Sequence, residues 1–123
     1  MAAEKKTRRA RKVTVKNLVA SDEYADIHAD LLDQLERNGT IGKYYVDLVS
    51  DYMNLWVTKN LLNDDIKKRG VSVEYNHGGG QSGYKKNDSV DQTLKVNGQM
   101  LKILDSIGIK PTTVLGGGDD DEL

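Results

Sequence analysis

The glycine-rich stretch at residues 76–86 contains residues that could bind a nucleotide phosphate. Gly78, Gly80 and Gly83 have the G-x-G-x-x-G spacing of dinucleotide-binding loops, in which a strand turns directly into a helix whose N-terminus faces the pyrophosphate. Here five residues separate Gly83 from the predicted start of the next helix, and Tyr84 stands where a Walker loop requires lysine. The stretch at residues 76–86 is therefore predicted to form the tip of a β-hairpin. The alternative is that it binds phosphate in a nucleotide-handling enzyme.

Asp26, His28 and Asp30 are residue types that bind metal ions. Residues two apart on a helix do not face each other, so His28 cannot join the two aspartates, and the pattern predicts a solvated helix face. The chain has no cysteine, which excludes disulfides and thiolate metal sites. No Ser/His/Asp set or carboxylate pair has a spacing that indicates catalysis. We therefore predict a protein that is not an enzyme and holds no metal or cofactor.

The first sixteen residues, here called the basic arm, carry seven cations and one acidic residue. Clustered lysines and arginines bind the phosphate backbone of DNA and release its counterions, which positions a protein without reading sequence. The alternative is a solvated tail that keeps the chain soluble. The residues predicted to contact DNA are Lys5, Lys6, Arg8, Arg9, Arg11, Lys12 and Lys16.

The rest of the chain offers weaker candidates for DNA contact. Five cations can be neutralised by neighbouring carboxylates, which reduces their value as DNA contacts: Lys43, Lys59, Lys67, Lys68 and Arg69. Three aromatic residues could stack on bases, although packing in the core is favoured for them: Tyr44, Tyr45 and Trp56.

Two helices are predicted in the first half of the chain. Ser21 is a typical N-cap, and Asn38 with Gly39 supplies a left-handed stop. A second helix is predicted from near Thr40 to residue 69, with a possible break in the polar stretch at 59–65. We expect the two helices to form an antiparallel pair. Residues 13–15 could add a short strand before them.

The second half is predicted to contain a strand at 71–75, the glycine turn, a short return near Gly83 and a third helix. This helix should begin at Asp88 or Ser89 and end before Gly108. Its apolar face is wider than a surface helix needs, which indicates packing against a second subunit. The residues predicted to form that oligomer interface are Met100, Leu101, Ile103, Leu104 and Ile107.

Together these elements predict a mainly α protein with one long helix and a small β-hairpin. Residues 1–19 are assigned to a basic flexible arm, 20–115 to a helical core and oligomerisation domain with its hairpin at about 71–86, and 116–123 to an acidic flexible tail. No apolar run approaches the roughly 20 residues of a membrane span, so no membrane association is expected.

The segment from Asn87 to Thr113 resembles the closing signature of the phage terminase small-subunit family, and the likeness extends over about residues 20–115. It departs from the family pattern at Asp88, where proline is common, and at Val114, where arginine is common. The residues that match the signature are Asn87, Met100, Ile103, Leu104, Ile107, Gly108, Ile109, Pro111 and Thr112.

This resemblance implies a packaging factor without catalytic activity. Members of the family assemble as homo-oligomeric rings, engage double-stranded viral DNA at the packaging start site and present it to the large terminase subunit. The resemblance also implies action in the cytoplasm of the infected host and absence from the mature virion. The alternative is a phage transcriptional regulator in which residues 35–49 form a helix-turn-helix with a short recognition helix.

Overall fold

The computed structural model describes residues 12–40 and 42–109. The elements within these ranges follow in the order α1 (Val15–Val19), α2 (Asp22–Arg37), α3 (Lys43–Arg69), β1 (Ser72–Gly78), β2 (Gln81–Lys86) and α4 (Asp88–Ser106). The mainly helical fold with a long helix and a small hairpin is therefore confirmed.

The short helix α1 was not predicted from the sequence. Thr14 has extended backbone angles, and its hydroxyl accepts a hydrogen bond from the Asn17 backbone N–H at 3.1 Å, so that Thr14 caps a helix beginning at Val15. The prediction of a strand at 13–15 is wrong, because this cap directs the chain into a helical turn. Residues 15–19, assigned to the flexible arm, are helical, and Leu18 packs against the core.

The helices α2 and α3 lie close to their predicted positions. Ser21 caps α2 by accepting a bond from the Tyr24 N–H at 3.2 Å, and Gly39 has a φ of 75° just after α2 ends. The helix α3 runs for 27 residues without the possible break at 59–65. Asn60 donates its amide to the Trp56 carbonyl one turn earlier, so its side chain bonds within α3 instead of competing with it.

The strands β1 and β2 form an antiparallel hairpin whose turn is the glycine segment. Tyr75 lies opposite Gly83, and the pairing shifts between Asn76 and Gly78. The residues at 78–80 all have positive φ angles, which glycine adopts without steric cost. The sequence interpretation of this stretch as a hairpin tip is confirmed.

The long helix α3 lies at the centre of the body, between α2 and α4. Tyr24 near the start of α2 contacts Trp56 in the middle of α3, so that these two helices run in opposite directions as predicted. One buried cluster joins α2, α3 and the end of α4 through Leu31, Leu35, Val49, Met53, Ile107 and Ile109. A second cluster consists of Trp56, Val57 and Met100. The helix α4 therefore packs on α3 of its own chain.

Candidate nucleic-acid interface

The basic arm joins the helical body at α1. Lys12 and Lys16 are both exposed to solvent. The Lys12 carbonyl accepts a bond from the Asn17 side-chain amide at 2.8 Å, and Leu18 packs against the cluster around Trp56. These contacts fix the point from which the arm extends. Five predicted arm residues lie outside the described residues: Lys5, Lys6, Arg8, Arg9 and Arg11.

The surface of α2 is acidic. Of its charged side chains only Arg37 is basic, and it donates to Asp33 at 2.7 Å. Over residues 12–109 the chain has 14 acidic and 12 basic side chains. The phosphate backbone of DNA would be repelled by this helix face. The exposed carboxylates that form it are Asp22, Glu23, Asp26, Asp30, Asp33 and Glu36.

Two of the five weaker cation candidates are engaged with carboxylates. Lys68 pairs with Asp64 at 3.0 Å, and Arg69 pairs with Asp65 at 2.6 Å, each one helical turn apart on α3. This arrangement reduces the charge that Lys68 and Arg69 can offer to DNA. Three others have no ion pair with any described residue: Lys43, Lys59 and Lys67.

The aromatic residues proposed for base stacking differ in their accessibility. Trp56 is buried, and its ring meets the Tyr24 ring edge-on with centroids 5.8 Å apart. Tyr45 is half-buried against the first core cluster. Tyr44 is 67% exposed, so of the three it alone presents an aromatic ring to solvent.

A buried asparagine ties the base of the hairpin to the helical body. Asn87 is fully buried; its side-chain oxygen accepts from the Ser89 N–H at 2.9 Å and from Arg69 at 3.2 Å. Its side-chain amide donates to the Gly70 carbonyl at 2.9 Å and to Asp65 Oδ2 at 3.1 Å. We call Asp65, Arg69, Asn87 and Ser89 the Asn87 clamp, since they connect the end of α3 with the start of α4.

The Asp65 carboxylate is the anionic centre of this clamp. It accepts two bonds from Arg69, at 2.6 and 2.8 Å, and one from the Ser89 hydroxyl at 2.7 Å. Hydrogen bonds from Arg69, then Ser89 and Asn87, hold the pKa of Asp65 well below its usual range. The clamp is therefore a structural ion network in which Asp65 stays charged, and it does not have the raised pKa of a general acid.

Sequence reasoning did not find the Asn87 clamp. The spacing of Asp65 and Arg69 on one helix is a visible signal for a pair. The contact of this pair with Asn87 joins residues 18 and 22 positions apart, and only the folded chain shows it.

The predicted oligomer residues fall into three groups in the structure. Met100 and Ile107 are buried in the chain's own core. Ile103 and Leu104 are half-buried, and Leu104 packs against the first cluster. Leu101 is 66% exposed and points away from the core. Of the predicted set, Leu101 is therefore the residue most available to a second subunit.

A shallow apolar surface surrounds Leu101. Leu94 lies two turns earlier on α4 and is also 66% exposed. Beside Leu101 a groove of about 230 Å³ opens between α4 and α3, and Tyr52 and Lys59 form part of its wall. We call Leu94, Leu101 and this groove the outer face of α4.

The alternative activities find little support in the fold. The helix that follows the glycine turn begins at Asp88, after a whole strand, so this glycine turn does not open onto a helix N-terminus. Among the described residues no group of three histidines or carboxylates is arranged to hold a metal ion. The helix after residue 42 is 27 residues long and lies in the core, unlike a short recognition helix.

The helices within residues 12–40 and 42–109 lack the combination of length and apolar content needed to cross a membrane.

Comparison with known proteins places this fold in a family. The family model described as "Phage terminase, small subunit" matches residues 25–114 of the 123-residue chain. The match begins within α2 and continues past the end of α4, so it includes the Asn87 clamp but not α1 or the basic arm. Searches of curated proteins and of solved structures found no match. The matched residues comprise most of the chain and the whole body from α2 to α4 except the first turn of α2. The protein therefore belongs to the phage terminase small-subunit family and serves phage DNA packaging.

Proposed function

We propose that this small terminase subunit binds viral DNA at the packaging start site through its basic arm and presents that DNA to the large terminase subunit. Small subunits of this family are generally non-catalytic, so the role is one of recognition and of regulating the large subunit. The site of action is the cytoplasm of the infected host, before the mature virion forms.

The separation of charge along the chain is the observation that carries this proposal. The described body has more acidic than basic side chains, and one whole face of α2 is acidic. The surplus of positive charge therefore lies in the basic arm. A polyanion such as DNA is attracted to the arm and repelled by α2, which gives the bound DNA a defined side of the body.

Assembly into a homo-oligomeric ring would multiply the effect of the arm. The outer face of α4 supplies exposed leucines for contact between subunits, since Leu94 and Leu101 have no covering residue within the described chain. Several arms held in one assembly raise the effective concentration of cations near one DNA molecule, so that weak individual contacts suffice.

Deletion of residues 2–11 tests the DNA-binding role of the arm. The deletion stops at residue 11 because the Lys12 carbonyl and Thr14 hydroxyl hold the start of α1. We expect DNA affinity to fall and the slope of log K against log salt to become less steep by up to about 4.5, since the deletion removes five cations and each phosphate contact contributes about 0.9. Affinity should be measured by fluorescence anisotropy at several salt concentrations.

A matched control neutralises two cations of the body, Lys59→Gln with Lys67→Gln, and should leave the slope unchanged. Light scattering must show that both variants keep the native mass, so that a loss of binding is not a loss of assembly. If the deletion leaves DNA binding intact while the control weakens it, the DNA contact lies on the helical body and the proposal for the arm is wrong.

A further inference from the structure

An apolar groove lies at the corner where α2 turns into α3. It encloses about 260 Å³ and is lined by Leu32, Leu35, Glu36, Thr40, Gly42 and Val46. We call it the corner groove. Leu35 forms its buried floor, whereas Val46 in its wall is 47% exposed. The groove is on the α2 side of α3, apart from the groove at the outer face of α4.

The chain leaves the described structure from the same cluster that forms the floor of this groove. Ile109 is buried together with Leu35, Val49 and Met53 in the first core cluster. The reversal after α4 brings it there: Gly108 has a φ of 74°, and the Ile109 N–H donates to the Leu104 carbonyl at 2.9 Å. The residues that follow Ile109 therefore begin beside the α2–α3 corner.

The sequence after residue 109 contains one pair of large apolar residues, Val114 and Leu115, between a polar stretch and the glycines and acids of the tail. The family model matches up to residue 114, five residues past the last described position, so the matched region includes Val114 but not Leu115. At roughly 3.3 Å per extended residue, Leu115 can reach about 20 Å from Ile109.

We propose that Val114 and Leu115 of the same chain pack into the corner groove and cover Leu35 and Val46. Burial of two aliphatic side chains against an apolar wall provides the driving force. The closure is local, because only a few residues separate the pair from Ile109 and the entropy cost of so short a loop is small. Charge complementarity favours the same occupant, since the sequence before Val114 contains the cation Lys110 and the groove wall contains the carboxylate of Glu36.

This docking fixes where the acidic tail begins. Residues 116–123, which carry three aspartates and one glutamate, then extend from the α2–α3 corner, next to the acidic face of α2. The pairing of Val114 and Leu115 with the corner groove does not depend on DNA binding by the basic arm.

A disulfide experiment tests the proposal directly, because the chain contains no cysteine. The variant Val46→Cys with Leu115→Cys places one thiol in the groove wall and one in the proposed occupant. Disulfides form only when the two Cα atoms come within about 7 Å. We expect an intramolecular disulfide to form at least about tenfold faster than in the control pair Val19→Cys with Leu115→Cys. Val19 has the same 47% exposure as Val46 but lies on α1.

Non-reducing electrophoresis separates the outcomes. A compact cross-linked monomer in the groove variant, but not in the control, supports the proposal. Equal rates in the two variants overturn it. A covalent dimer also overturns it, since the occupant would then come from a second copy of the chain.

A labelling experiment gives an independent answer in the full-length chain. In the single variant Val46→Cys, changing Val114 and Leu115 to serine should speed the reaction of the thiol with a maleimide several-fold. The control thiol at Val19→Cys should react at an unchanged rate. An unchanged rate at residue 46 overturns the proposal, because Val114 and Leu115 then do not cover the groove wall.

Discussion

Replacement of Asn87 with alanine should destabilise the protein more than any loss of a helix cap alone. Asn87 is fully buried and its side chain makes four hydrogen bonds, two as acceptor and two as donor. Alanine removes the cap of α4, which is worth about 1 kcal/mol. It also removes the donated bonds to Gly70 and Asp65 and the bond accepted from Arg69, at about 1 kcal/mol each. The expected loss is about 4 kcal/mol.

Urea unfolding followed by the fluorescence of Trp56 measures this loss. Trp56 is the only tryptophan in the chain. It lies on α3 and is buried against Tyr24 of α2, so its emission reports on the core. All variants must be compared at one protein concentration, since association of subunits adds to the apparent stability.

Two control variants separate the parts of the estimate. Ser21→Ala removes the cap of α2 and the bond from the Ser21 hydroxyl to the Leu18 carbonyl, and it should cost about 1–2 kcal/mol, because both bonds are made to residues only three positions away. Asn87→Ser keeps a cap oxygen but cannot donate to both Gly70 and Asp65, so its cost should fall between the other two. If Asn87→Ala costs no more than Ser21→Ala, then the contacts across the clamp add nothing and the reasoning is refuted.

Three further outcomes follow from the described contacts. Folding lowers the pKa of Asp65, so its charged form stabilises the fold fully above its ordinary pKa of about 4, and this stabilisation is lost as pH falls below that value. In urea unfolding, the free energy of unfolding of Asp65→Asn should therefore fall less between neutral and acid pH than that of the native chain. Gly98→Ala should stabilise by about 0.5–1 kcal/mol in the same assay, since Gly98 lies inside α4 with open space at its Cβ, and a loss would show that this position is in contact with a second subunit. Leu94→Asp with Leu101→Asp should dissociate the oligomer, as measured by light scattering, because charges would be buried without partners; an unchanged mass would exclude the outer face of α4 as the interface.

Local signals in the sequence were sufficient for most of the fold. Ser21, Gly39 and Gly70 mark element ends through capping and positive φ angles, and the structure uses each of them in this way. The polar run at 59–65 was misleading because two of its side chains bond within α3: Asn60 bonds to the preceding turn and Asp64 to the following one.

The short helix α1 was missed for a related reason. Its five residues bury little apolar surface, and the β-branched sequence Val-Thr-Val at 13–15 is typical of a strand. The signal that decides the structure is the Thr14 cap together with Leu18, whose contact with the Trp56 cluster is distant in sequence. The DNA contacts stay a prediction, because five of the seven proposed residues lie outside the described residues.

The outer face of α4 shows why helical periodicity alone cannot identify an interface. Periodicity marks Met100, Leu101 and Ile107 as apolar positions but does not distinguish burial inside one chain from burial between chains. In the structure Met100 is buried against α3, and Ile107 is buried in the cluster formed by α2 and α3. Leu101 stays exposed, as does Leu94 on the same helix. The opposite side of α4 already packs on its own chain. Leu94 and Leu101 can therefore be buried only by a further partner. Because α2 presents carboxylates and α4 presents leucines, the arrangement is consistent with the proposal that α4 contacts a second subunit and that the basic arm binds DNA.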